Sequence, residues 1–281
     1  MWTNRLWPGV HIPESTPTGG ELPAYARVVN AVEGNTTFYA TPDAATVEKW
    51  RSSVDDGFRF MFKLPREITH DRKLRGVDGP LRDFLERFEP MGELMRPTSI
   101  QLPASFGPGD LGVLARFLED HPLETGWAVE VRHPGYFGTD DERRLNDLLA
   151  THGADRIILD SRAVFAGPAK TPEELEAFEN KPRLPVRAVA TGNHPVVRFI
   201  GQTAEEANPE FWEPWVPTVA RWVNDGREPL IFLHTPDNGV APSMARRFHA
   251  EVAALVPGLA PLPDPPPARA LGFFDEPPPS G

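Results

Sequence analysis

Seven times along this chain a short apolar run gives way to a polar residue, a loop and, in most cases, a helical period. That alternation limits the chain to a parallel α/β architecture. The strand-like runs are Val28–Glu33, Phe58–Lys63, Ser99–Leu102, Trp127–Val131, Arg156–Asp160, Val196–Ile200 and Leu230–His234. Helical spacing is read at 43–52, 80–88, 111–118, 141–151, 210–224 and 243–255. Continuous apolar runs belong to strands covered on both faces. Repeated βα units build an open sheet or a closed barrel, and no Gly-rich phosphate loop follows the first strand. Both architectures stay open on this pattern, and the absent phosphate loop weakens only the dinucleotide-binding one.

Residues 1–255 are read as one domain, and two segments break its rhythm. Residues 163–195 form a long, proline-containing loop with one short helix near Glu173–Phe178, the position and length of a lid or binding loop. Residues 256–281 are Pro-rich without a core pattern and are expected to be a disordered tail. There is no cysteine, which removes disulfides, thiolate metal sites and cysteine nucleophiles. The net charge of −11 argues against non-specific nucleic-acid binding, which requires cations to neutralise phosphates. No run approaches the roughly 18 apolar residues of a membrane span, and the start does not read as a secretory signal. A cytoplasmic protein with no membrane partner is expected.

What ends each strand carries the chemistry. In a β/α barrel the loops after the strands form one mouth, and reacting groups sit there. The strand ends and following loops supply Glu33 and Asn35, Lys63, Gln101, Glu130 with Arg132 and His133, Asp160, Arg198, and His234. Glu33, Glu130 and Asp160 are candidate acid/base carboxylates, with His70, His133 and His234 as proton-transfer groups. Lys63, Arg132 and Arg198 would hold an anion, while Asn35, Gln101 and Tyr39 would orient and wall a substrate. Structural readings stand beside these. Glu130 and Arg132 share a face and could simply pair, Asn35 and Thr37 could cap a turn, and Lys63 could bridge to Glu33 or Glu130. Arg198 could pair with Asp160, and His70 could be an ordinary surface histidine. The three carboxylates with a histidine would suit a hard divalent metal, but no HxH or HExxH spacing occurs, so no metal or other cofactor is assigned. Trp212, Trp215 and Trp222 recur at helical steps and are read as packing.

Several of these runs, taken in order, resemble the YecE-like family, domain of unknown function 72. They are Val32-Glu33-Gly34-Asn35-Thr36-Thr37-Phe38-Tyr39, Phe62-Lys63, Thr69-His70, Gln101-Leu102-Pro103 and Glu130-Val131-Arg132-His133. Asp160-Ser161-Arg162, Arg198-Phe199-Ile200-Gly201 and Phe232-Leu233-His234-Thr235-Pro236-Asp237 continue the series. The resemblance covers roughly residues 20–255 and implies a TIM-type barrel, without fixing a reaction. Relatives often carry Arg-x-His-Gly where this chain has Arg198-Phe199-Ile200-Gly201. They begin with a strand ending near a Trp-Ser/Thr pair, and Met1-Trp2-Thr3 matches that strand's exit, so the first barrel strand is expected to be absent from this chain.

The functional expectation is an enzyme, a hydrolase, lyase or isomerase by class. It would do acid/base chemistry on a small polar, phosphorylated or sugar-like molecule at the strand ends. Two other readings stay open. One is a nucleic-acid phosphate binder or nuclease using Arg66, Arg72, Lys73 and Arg75. The other is a non-catalytic ligand-binding or scaffold protein. The oligomeric state is not legible.

Overall fold

The structure is a computed structural model and describes residues 2–264. Seven parallel strands form, the number read from the sequence: β1 (Ala31–Gly34), β2 (Arg59–Phe62), β3 (Thr98–Gln101), β4 (Trp127–Glu130), β5 (Asp155–Asp160), β6 (Val196–Ile200) and β7 (Leu230–His234). The helices are α1 (Glu21–Ala26), α2 (Ala44–Ser52), α3 (Asp78–Phe88), α4 (Leu111–Asp120), α5 (Asp140–Thr151), α6 (Pro172–Asn180), α7 (Pro209–Trp212), α8 (Trp215–Asn224) and α9 (Ala241–Ala253). Helix α1 was not read from the sequence: it is six residues long and buries only Leu22, too little for a visible period. The single helix expected over 210–224 is two, because the chain breaks at Glu213-Pro214 before Trp215. All three tryptophans there are buried packing residues.

The closed TIM-type barrel expected from the sequence does not form. Hydrogen bonding joins β1 to β2 in one parallel sheet and β3 through β7, in chain order, in a second. Between β2 and β3 only the isolated bridges Phe60–Met95 and Lys63–Ser99 continue the ladder. Strands β7 and β1 are not paired at all. A cavity of about 670 Å³ lies along these two edges, lined by Ala31, Val32, Ile231 and Leu233 and by side chains of Trp7, Tyr25 and Phe248. A barrel removes its edges only when every strand has two backbone partners. Here that space holds no strand, so the sheet curls but stays open as a half-barrel.

Strand alternation divides the side chains into an outer and an inner set. Outward, Val32, Phe60, Phe62, Ile100 and Val129 pack beneath the helices of the first half. Ile158, Val197, Phe199 and Leu233 do the same against α8 and α9 in the second. Inward, Met61, Ala128, Ile157, Val196 and Phe232 form an apolar floor, with Ala31 against it. Two residues further along those strands the same inward face presents Lys63, Glu130, Leu159, Arg198, His234 and Glu33. A polar layer therefore stands directly on an apolar one. Burying each large floor side chain contributes roughly 1.5–3 kcal/mol, which secures the strands whose ends carry the charges.

The long loop is more ordered than its composition suggests: Thr171 caps α6 by accepting from the Glu174 amide, and Ala177 is buried. Of the expected tail, Val256 joins the core beside Phe248 and Val252, Leu259 packs against it, and Arg246 donates to the Pro263 carbonyl, while most of residues 257–264 are exposed. Residues 265–281 lie outside the described residues.

Candidate functional site

At the carboxyl ends of the strands a cavity of about 390 Å³ is lined by Asn35, Lys63, Gln101, Arg132, Arg198 and His234, with Phe38 and Tyr39 at one side. Glu33 enters from β1 because Gly34 lets that strand lie against β2: a Cβ at Gly34 would collide with the Phe62 ring. The turn after it is pinned by Thr37, whose hydroxyl donates to the carbonyl oxygen of Lys63 at 2.7 Å. Thr37 is buried and so is the end of β2, so this bond fixes where the Lys63 side chain starts.

Arg198 is the centre of the polar layer. Its Nε lies 2.6 Å from Glu33 Oε1 and its Nη2 donates to Glu33 Oε2 at 3.1 Å. Its Nη1 donates to Glu130 Oε2 at 2.8 Å. Glu33 Oε2 also takes Asn35 Nδ2 at 3.3 Å and faces His234 Nε2 at 3.0 Å, while Lys63 Nζ is 3.5 Å from Glu33 Oε1. Glu130 Oε1 accepts from Arg132 Nε at 2.7 Å. Lys63 Nζ donates to Gln101 Oε1 at 2.9 Å.

The charges respond accordingly. Burial pushes Glu33 upward, but Arg198, Lys63 and His234 together hold it well below the usual carboxylate range. Burial likewise opposes ionisation of Glu130, and Arg198, Arg132 and Lys63 overcome it, bringing Glu130 down to about 2. Burial lowers Lys63 to about 8 even with Glu33 beside it. Burial also lowers His234 against the pull of its bond to Glu33. His70 is lowered by burial, then by Arg132 and Arg66. Two carboxylates so strongly ionised and saturated with donors are poor proton acceptors. The other titratable groups on or beside the cavity are Lys63, Lys181, His234 and His70, all displaced downward.

The sequence-read residues divide cleanly. Glu33, Asn35, Lys63, Gln101, Glu130, Arg132, Arg198 and His234 converge. Tyr39, mostly exposed, stands at the rim, and His70 sits behind it with its ring 4.9 Å from that of Phe38. Asp160 and His133 lie elsewhere, each one residue out of phase with the inward face. Asp160 accepts from Arg162 Nε and Nη2 at 2.9 and 2.7 Å and from Trp215 Nε1 at 2.8 Å, tying β5 to α8. His133 turns outward; its Nδ1 accepts from the Gly135 amide. The pairing of Arg198 is with Glu33 and Glu130, not with Asp160. Lys181, Asn180, Glu176 and Glu173, from the long loop and its helix, also line the cavity and were not singled out beforehand. The only sequence signal for them was that loop's length. The arginines weighed for nucleic-acid binding are spent on acids: Arg66 on Asp71, Arg72 on Glu67 and Arg75 on Asp110.

Known proteins place this arrangement in a lineage. The family model described as "Protein of unknown function DUF72" matches residues 1–269. The chain belongs to the DUF72 family. It is 39% identical to the UPF0759 protein YecE of Escherichia coli strain K12 over 264 residues, 94% of each chain. The crystal structure of a DUF72 family protein from Thermotoga maritima matches at a TM-score of 0.67 and 21% identity, covering 89% of this chain and 95% of that one. One from Enterococcus faecalis matches at 0.62 and 18% identity, covering 85% and 94%. At those identities the two structures speak for the DUF72 fold alone. Among the described residues, no helix is long and apolar enough to cross a membrane.

Proposed function

We propose that this DUF72 protein is an enzyme that binds a small, polar, anion-bearing molecule in the cavity at the strand ends and moves a proton on it. The observation that carries this reading is a set of cations with donors to spare around one cavity. Lys63 has three N–H donors, of which Gln101 and Glu33 take two. Arg132 reaches Glu130 through Nε, leaving both terminal nitrogens for a ligand. Lys181 adds a third cation at the rim. Glu33 and Glu130 are positioning residues here: they hold Arg198, Lys63 and Arg132 in fixed geometry. Proton transfer falls to Lys63, His234 and His70. The volume suits a compact carboxylate or phosphate ester better than a polymer, and the surface arginines weighed for nucleic acid are already paired.

The test is a thermal-shift series with inorganic phosphate, simple sugar phosphates and small carboxylates. A ligand selective for the folded state raises Tm by mass action. The expected result is a concentration-dependent rise for anions, absent for matched neutral compounds and abolished in Arg132→Ala. A rise that survives unchanged in Arg132→Ala, or none for any anion, overturns the reading.

A further inference from the structure

Lys63 is unlike the other amine on this cavity. Its side chain is buried, it rises from the end of β2 directly off the apolar floor residue Met61, and it is held from two sides. Gln101 Oε1 fixes it at 2.9 Å from β3, and Glu33 Oε1 lies 3.5 Å away on β1. Lys181, on the same cavity, is exposed and has no such frame. Arg132 and Lys63 line the same cavity, so one small molecule bound there can meet both the guanidinium and the amine.

Resting on the anion-binding reading above, we infer that Lys63 forms an imine with the carbonyl group of its ligand. The substrate class is then a small molecule carrying both a carbonyl and an anionic group. The neutral amine attacks the carbonyl carbon, a C–N bond forms, and an amine proton passes to the carbonyl oxygen, giving a carbinolamine. Protonation of that hydroxyl by His234 or solvent releases water as the C–O bond breaks, leaving an iminium that retains one N–H. Nothing is oxidised or reduced. The positive charge on nitrogen before the reaction is restored at its end, so the partners that suit the ammonium suit the iminium equally. Glu33 stays ionised beside it, and the remaining N–H keeps Gln101 as acceptor. The depressed basicity of Lys63, about 8, supplies the unprotonated amine that attack requires. An electron-withdrawing iminium in a cavity that also holds His234 then lends itself to proton removal at the adjacent carbon.

Borohydride trapping decides this. The full chain is incubated with pyruvate or, separately, with dihydroxyacetone phosphate, reduced, digested and analysed by mass spectrometry, with thermal shifts recorded for the same probes. The two arms distinguish a 2-oxo carboxylate from a phosphorylated ketone. The expected result is a reduced adduct on Lys63, formed roughly tenfold or more faster than on Lys181, the difference set by the fixed position that Gln101 and Glu33 give the Lys63 amine. Lys63→Arg, which keeps the charge, should lose the adduct while still showing the thermal shift. A thermal shift without an adduct, or equal labelling of both lysines, overturns the imine and leaves anion binding standing. Neither shift nor adduct with any anion overturns both.

Discussion

Arg198 on β6 and Glu33 on β1 meet in a two-point contact, Nε to Oε1 at 2.6 Å and Nη2 to Oε2 at 3.1 Å. The strand between them in space, β7, makes no backbone pairing with β1. The ion pair thus spans the edge where β7 and β1 make no backbone pairing. Both side chains are almost wholly buried, and Arg198 also carries Glu130. Removing the cation leaves two buried carboxylates without their shared partner, Glu130 keeping Arg132 and Glu33 keeping Lys63 and His234. Arg198→Met should therefore cost about 3–5 kcal/mol in urea unfolding, the range for breaking a buried pair by removing one partner. The double variant Arg198→Met with Glu130→Gln should recover part of that loss, because one buried carboxylate instead of two then lacks the Arg198 guanidinium. A single variant as stable as the parent would contradict this account.

Glu130 makes a separate prediction about acid. Its folded value, about 2, lies below the 4.5 of an ordinary glutamate. A depressed carboxylate contributes stability that is fully present above the unfolded value and is lost as pH falls towards the folded one. The window is therefore pH 4.5 down to about 2, and the contribution at neutral pH is on the order of 3 kcal/mol. Glu33 is displaced in the same direction and adds to the slope. Urea midpoints taken across this range should fall steeply in the parent and less steeply in Glu130→Gln. Parallel slopes would show that Glu130 does not titrate as the geometry requires.

The outcome for Asp160 shows what was legible beforehand. Existence and order of the strands could be read, because parallel strands covered on both faces are continuous apolar runs between polar breaks. The converging residues could also be read, from the polar ends. Phase was the neglected signal. Along β5 the inward series runs Ile157, Leu159, so Asp160 must point outward; along β4 it runs Ala128, Glu130, with Arg132 continuing it beyond the strand, so His133 must point away. Openness of the sheet could not be read, because whether β7 pairs with β1 is set by long-range geometry and not by any local pattern. Lys181 was hidden in a segment whose composition resembles a plain loop.

Asp160 provides a control that separates stability from binding. Its carboxylate is buried and takes donors from Arg162 and Trp215. Asp160→Ala leaves the Trp215 indole N–H without its acceptor and releases Arg162, at a cost of roughly 2–4 kcal/mol. Since the side chain faces away from the cavity, anion affinity of the folded protein should stay within a factor of two or so of the parent, far less than the tenfold of a 1.4 kcal/mol change. Isothermal titration with sulfate below the melting temperature measures this. A large loss of affinity would place Asp160 in the binding machinery.

The pH dependence of anion binding follows from which charges around the cavity titrate. Sulfate is the suitable probe, because its own charge is constant over the range. Glu33 and Glu130 are already ionised at neutral pH, and Arg198 is raised beyond its ordinary value, so none of these changes charge between pH 7 and 10. Lys63 does, at about 8. Its proton is lost as pH rises through that value, so sulfate affinity should decline above pH 8, with a slope approaching tenfold per unit for one linked proton. Lys63→Arg should flatten the decline, since guanidinium keeps its charge. Lys181 is also lowered, by desolvation and then by Arg198 and Arg132, so Lys181→Arg should remove its own share of the decline and leave the part due to Lys63 in place. Towards acid the same sign holds: His70 and His234, both lowered, gain positive charge only below their ordinary range, and affinity should rise further there. A profile flat from pH 7 to 10 in the parent would mean that the Lys63 ammonium takes no part in holding the anion.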